Sequence, residues 1–225
     1  MAALSAQPAS RFEAASIKPT PSDQWNGTSG GASRNGRFSM RNRTLKRYLM
    51  GAYGLGPNQI AGAPEWLDSE RFDIEATAGL SASDSEMMLM LQTLLAERCK
   101  LASHRETRAV GAYALVAAKG GPKPEKAQDG ESSTNNSRGF IDARVITMPR
   151  FAEVLSRQLD YPVVDQTGLQ GSFNVKLEWS PGPVAATDSK PSIFTAIQQL
   201  GLRLQARKLP VEVLVIDHVE RPTEN

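Results

Sequence analysis

Cysteine, histidine and aromatic side chains are scarce in this chain, and long apolar runs are missing. A single cysteine, Cys99, excludes any disulfide within the chain. There are two histidines, His104 and His218, so imidazole chemistry at neutral pH has only these two groups to use. No apolar run approaches the roughly 20 residues that a membrane-spanning helix needs, so no transmembrane segment is expected. The formal net charge of +2 gives no global field to attract nucleic acid. Aromatics make up 6% of the chain and are not interleaved with basic residues as in a single-strand binder. No nucleic-acid partner is expected. A serine nucleophile finds no support beside the histidines, since Ser103 would face away from its neighbour His104 on a strand.

The chain does contain what reads as one unit written twice. Arg71-Phe72-Asp73-Ile74-Glu75-Ala76 is echoed by Ser172-Phe173-Asn174-Val175-Lys176-Leu177. Each copy follows an amphipathic helix and leads to a second helix and a strongly apolar strand. In the first half, Thr44 caps a helix whose apolar face is Leu45, Tyr48, Leu49, Ala52 and Tyr53, stopped by Gly54. Ser83 and Glu86 form a capping box ahead of Met87, Leu91, Leu94 and Leu95. Strands are expected over 101–107 and 111–118, joined by a short turn. In the second half, a strand over 140–147 precedes a helix with Pro149 in its first turn and Phe151, Val154, Leu155 and Leu159 on one face. Ser192 caps a last helix, and strands follow over 202–207 and 211–217.

The fold class that this implies is α+β: an internally duplicated strand-helix-strand plus helix-strand-strand unit, with antiparallel or mixed sheets. The expected divisions are a tail over 1–10, a first repeat over 11–118, a linker loop over 119–138 and a second repeat over 139–225. The tail Met1-Ala2-Ala3-Leu4-Ser5-Ala6-Gln7-Pro8 reads as the end of a secretory signal that has lost its charged and apolar parts. Export, to a periplasmic or extracellular location, is the expectation.

Several stretches also carry a resemblance. These are Phe12-Glu13-Ala14-Ala15-Ser16-Ile17-Lys18-Pro19, the run from Gly62 to Ala76 that contains Pro64-Glu65-Trp66-Leu67-Asp68, and His104-Arg105-Glu106-Thr107. Pro162-Val163-Val164-Asp165-Gln166-Thr167-Gly168-Leu169 and Val215-Ile216-Asp217-His218-Val219-Glu220 complete them. Together they resemble a paralogous family of exported acidobacterial (Solibacter-type) proteins of unknown function, over nearly the whole chain. The resemblance implies a preceding signal peptide and, in some members, attachment to a membrane-bound sensor peptidase. It supplies no reaction. Cys99 stands where that family more usually has an aromatic residue, which implies a packed thiol. The strand–helix–strand pattern also looks like the short N-terminal domains of secretins and TonB-dependent receptors, a likeness of fold alone.

Two functional readings remain open. The first is a non-catalytic binding or sensing module for a small molecule, glycan or protein partner. Tyr48, Tyr53 and Trp66 lie near the glycine turn Gly54-Leu55-Gly56, where aromatics can line a pocket, and Arg41 and Arg43 belong to a basic run from Arg34 to Arg47. The plainer account makes these aromatics core anchors and pairs the basic run with the acidic stretch from Glu65 to Glu75. The second reading is a secreted hydrolase, with or without a metal, built on His104, Glu106, Asp217 and His218. Its plainer account is two strand histidines bonded to nearby carboxylates. No metal-ligand spacing accompanies them, and the sequence names no cofactor.

Overall fold

The structure is a computed structural model and describes residues 10–24, 29–32, 36–56, 58–79, 82–128, 130–182 and 190–223. The expected signal remnant, Arg34 and most of the 180–191 loop lie outside the described residues. The protein is α+β, with antiparallel and mixed sheets.

Two compact units emerge, and the first draws on both ends of the chain. Unit 1 comprises residues 1–55, 60–106 and 213–225; unit 2 comprises 56–59 and 107–212. These boundaries differ from the expected halves because two long strands, β6 (Ala102–Ala117) and β12 (Leu202–His218), are each divided between the units. The sequence suggested two shorter strands in each place. The expected turn after 107 and the break after 207 both lie inside continuous strands. Gly111 is a place of close approach: a Cβ there would sit 3.3 Å from the Tyr161 ring.

Unit 1 contains a four-stranded antiparallel sheet with order β1-β5-β3-β2. Its strands are β1 (Ala14–Pro19), β2 (Ser29–Ala32), β3 (Arg37–Thr44) and β5 (Arg71–Thr77). Phe38, Phe72, Ile74 and Ile17 alternate with polar residues, so one face is apolar. Helices α1 (Leu45–Tyr53) and α3 (Asp84–Arg98) bury Leu45, Tyr48 and Leu49, and Met87, Leu91 and Leu95, in the same core. Gly54 ends α1 in the left-handed conformation at φ 68°, and the Ser83–Glu86 capping box begins α3. Leu214 and Ile216 of β12 complete this core, beside β4 (Ile60–Ala61), which runs parallel to β12. A short helix α2 (Trp66–Ser69) buries Leu67.

Unit 2 contains a second four-stranded antiparallel sheet, order β7-β11-β9-β8. Here β7 is Glu125–Lys126, β8 Ser133–Ser137, β9 Phe140–Thr147 and β11 Ser172–Glu178. The stretch expected to be a linker, 119–138, therefore supplies both edge strands of this sheet. Its polar Ser-Thr-Asn-Asn-Ser run shows no apolar period because all five residues are exposed on an edge. Helices α4 (Met148–Ser156) and α5 (Ile193–Gln199) pack Phe151, Leu155 and Ile197 against Phe173, Val175 and Leu177. Leu115 of β6 joins this core, and β10 (Val163–Asp165) runs parallel to β6.

The element order β3-α1-β4-β5-α3-β6 in the first half matches β9-α4-β10-β11-α5-β12 in the second. The match extends to irregularities. Each sheet has a bulge in the strand that feeds its first helix, two residues before the cap. Asn42 sits there at φ 57° and Val145 at φ 52°. The bulge directs an extended strand into the helix. In unit 1 Asp73 Oδ1 accepts from the Asn42 N–H at 2.8 Å; in unit 2 Asn174 Oδ1 accepts from the Val145 N–H at 3.2 Å.

Candidate functional site

The candidate catalytic residues gather at one end of β6 and β12, within unit 1. His104 Nδ1 lies 2.9 Å from Asp217 Oδ2, and His104 Nε2 lies 4.0 Å from Glu106 Oε2. The imidazole therefore has a carboxylate on each side, a pairing that Asp217 makes with His104 rather than with its sequence neighbour His218. Successive strand residues face opposite ways. His218 accordingly bonds elsewhere, Nε2 to Glu220 Oε1 at 3.1 Å, and Glu220 also pairs with Lys100 Nζ at 2.7 Å. Those two partners hold the Glu220 carboxyl below its usual range, Lys100 contributing most. The two histidines do not share a ligand set. Among the described residues no group of three or more His, Cys, Asp or Glu side chains is placed to hold a metal ion. His104 and Asp217 are about half exposed, at 53% and 47%.

Of the candidate binding residues, Tyr48 is core. Its hydroxyl is shared between the carbonyls of Met40 at 2.8 Å and Phe72 at 2.9 Å, and burial raises its pKa well above the ordinary tyrosine value. Tyr53 packs on the same core from its edge. Trp66 is half-buried, with the Arg221 guanidinium 5.2 Å from its ring centroid; Arg221 in turn clamps Glu70 at 2.6–3.0 Å. These aromatics anchor packing and do not line a common pocket. Arg43 lies in line with Phe72, and its buried Nε has no partner among the described residues. Cys99 is fully buried, and desolvation pushes its thiol up to about 12.

Arg41 is placed differently. It stands on the outward face of the unit 1 sheet, where an open cavity of about 500 Å³ is lined by Ser16, Arg37, Ser39, Arg41 and Glu75 among others. Small side chains on β1 and β3 make this floor low. Arg41 bonds Glu75, with Nε at 3.0 Å, and the pairing raises the arginine pKa. The outward face of the unit 2 sheet bears a larger cavity, about 700 Å³, lined by Glu125, Lys126, Arg144, Val145 and Asn174 with residues of the 128–133 stretch. None of these unit 2 residues stood out in the sequence. The available signal was an alignment of the two caps, Thr44 and Thr147, which brings Arg144 onto Arg41.

A family model described as a protein of unknown function, DUF3738, matches residues 46–219. The chain belongs to the DUF3738 family. No curated protein and no solved structure matches it. The matched span takes in the strand end with His104 and Asp217 and the unit 2 sheet face with Arg144. Arg41 and the β1 edge fall before it.

Proposed function

We propose that this DUF3738 protein is an exported, non-catalytic binding or sensing module for a small molecule, glycan or protein partner. The observation that carries this reading is the open, polar cavity on the outward sheet face of unit 1, where Arg37 and Arg41 stand over a floor of small side chains. Such a face presents charge and hydrogen-bonding groups without a shielded nucleophile or base. The signal-like start of the chain and the resemblance to exported proteins support the location. The matched bulges, caps and strand orders support descent of the two halves from one duplicated unit.

A second reading is a hydrolase. The Asp217–His104 contact of 2.9 Å is its support, since a carboxylate on Nδ1 orients the ring and leaves Nε2 to take a proton. The full chain is to be assayed against ester, phosphoester and peptide substrates, with and without added zinc, next to the His104→Ala and His218→Ala variants. The binding reading expects no turnover. Turnover that disappears in folded His104→Ala would replace it with the hydrolase.

A further inference from the structure

The two sheets carry the same arginine in different electrostatic company. In unit 1 the bulge sets Arg41 and Asn42 together opposite Asp73, and Lys18 lies opposite Asp73 on the other side. In unit 2 the bulge sets Arg144 and Val145 together opposite Asn174, and Glu125 lies opposite Asn174 on the other side. The row Lys18–Asp73–Arg41 is thus replaced by Glu125–Asn174–Arg144. One step along the strand, Glu75 is replaced by Lys176.

The consequence for each arginine is direct. Arg41 is satisfied from within, because Glu75 bonds its guanidinium and Asp73 adds a further attraction. At Arg144 the first carboxylate has become a neutral amide and the second a cation, which pairs with Glu178 instead at 3.8 Å. Among the described residues no carboxylate reaches the Arg144 guanidinium. A guanidinium is planar and suited to bidentate pairing with a carboxylate. Two strand spacings away, about 10 Å across the sheet, Glu125 offers the opposite charge. Between them the Asn174 carbonyl oxygen is taken by the Val145 N–H, which leaves its amide N–H groups to donate outward. The backbone adds a further sign of constraint. Val145 holds φ 52°, a conformation that β-branched residues avoid, at the cavity wall where unit 1 has the tolerant Asn42.

We propose that the outer cavity of unit 2 binds a small zwitterion, an α-amino acid or short peptide, with Arg144 donating to its carboxylate and Glu125 accepting from its ammonium group. The ligand carboxylate takes the place that Glu75 fills in unit 1. The cavity, about 700 Å³, exceeds a single amino acid and accommodates a di- or tripeptide. The inference extends the binding reading to a second surface. A hydrolase result at His104 would overturn that reading without touching this one.

The test is an NMR titration of the full, ¹⁵N-labelled chain with glycylglycine, acetate, methylammonium and inorganic phosphate. Glycylglycine should move the amide signals of Val145, Asn174 and residues 125–133 saturably. Acetate and methylammonium should each bind about tenfold more weakly or worse, since each engages one charge. Arg144→Gln and Glu125→Gln should each weaken glycylglycine by about 10- to 100-fold. Arg150→Gln, on α4 and paired with Glu153, should leave it unchanged. No saturable shift with glycylglycine overturns the proposal, as does binding that survives Arg144→Gln. Phosphate binding as tightly as glycylglycine also overturns it, because the site would then be a simple anion site. Both exchanged side chains are exposed, so the folded amide dispersion should persist. If a variant unfolds, the four probes on the unaltered chain still decide.

Discussion

Val145 and Cys99 show how much a single position depends on its surroundings. A β-branched residue in the left-handed region costs about 1–2 kcal/mol, and the equivalent position in unit 1 holds asparagine, which tolerates it. Val145→Asn should therefore stabilise the protein by about 1 kcal/mol, and Asn42→Val should destabilise it by a similar amount, both read from urea unfolding midpoints. Equal stabilities for all three proteins would show that the bulges are not strained alike. Cys99 lies at the end of α3 among apolar side chains, and its thiol is pushed up to about 12. At pH 8 the native protein should resist a thiol-specific disulfide reagent and react with one equivalent only in denaturant. Rapid reaction of the folded chain would contradict that burial.

At the scale of elements, the helix starts follow local chemistry. In α3 the Ser83 hydroxyl accepts from the Glu86 N–H at 3.3 Å, and Glu86 accepts from the Ser83 N–H at 2.8 Å. The Ser83 N–H, and next the Ser83 hydroxyl donating to Glu86 Oε2 at 2.8 Å, hold the Glu86 carboxyl below the usual glutamate value. A depressed carboxyl pKa stabilises the fold fully above the unfolded-state value. That contribution is lost as pH falls through the lower folded value. Ser83→Ala should cost about 1 kcal/mol at neutral pH. The gap between variant and unaltered chain, followed by thermal melts, should narrow as the pH falls below the ordinary glutamate range. A gap that does not change with pH would assign the cost to the serine cap alone. The long strands behave otherwise. The 108–110 segment, expected as a turn, lies inside β6 with Arg108 and Ala109 exposed, so it has no apolar period to announce a strand, and only pairing with its neighbours in the sheet extends it.

For the molecule as a whole, each compact unit needs chain from the other half of the sequence. Leu214 and Ile216, from the end of the chain, are buried in the core of unit 1, and Leu115 is buried in that of unit 2. Fragments 11–118 and 119–225, cut at the end of the expected first repeat, should each lack cooperative thermal unfolding. Mixed together, they should recover a sigmoidal circular-dichroism transition. A stable, well-dispersed 11–118 fragment would show that the first half closes its own core. Ile216→Ala in the full chain should cost about 2–4 kcal/mol, in keeping with truncation of a buried side chain.

The α+β class, the helix starts at Thr44, Ser83, Ser192 and the Pro149 turn, and the alternation of β5 and β11 were all legible in the sequence. Caps, heptad-like spacing and strict alternation act over a few residues, and a few residues are enough to encode them. The burial of Tyr48 was legible for the same reason, as a member of an apolar helical face, and that of Cys99 was implied by the family resemblance. Tertiary structure alone decided which half of the chain completes which core. It also decided that 119–138 forms sheet edges, that β6 and β12 run unbroken, and that Asp217 meets His104. Apart from β8, which pairs with the nearby β9, each of these depends on partners about 50 or more residues away, and backbone pairing between distant strands leaves no period in either one. The electrostatic contrast between Arg41 and Arg144 belongs to the same class. The residue types are written in the sequence, but only the register across three strands sets Glu75 against one arginine and Asn174 against the other.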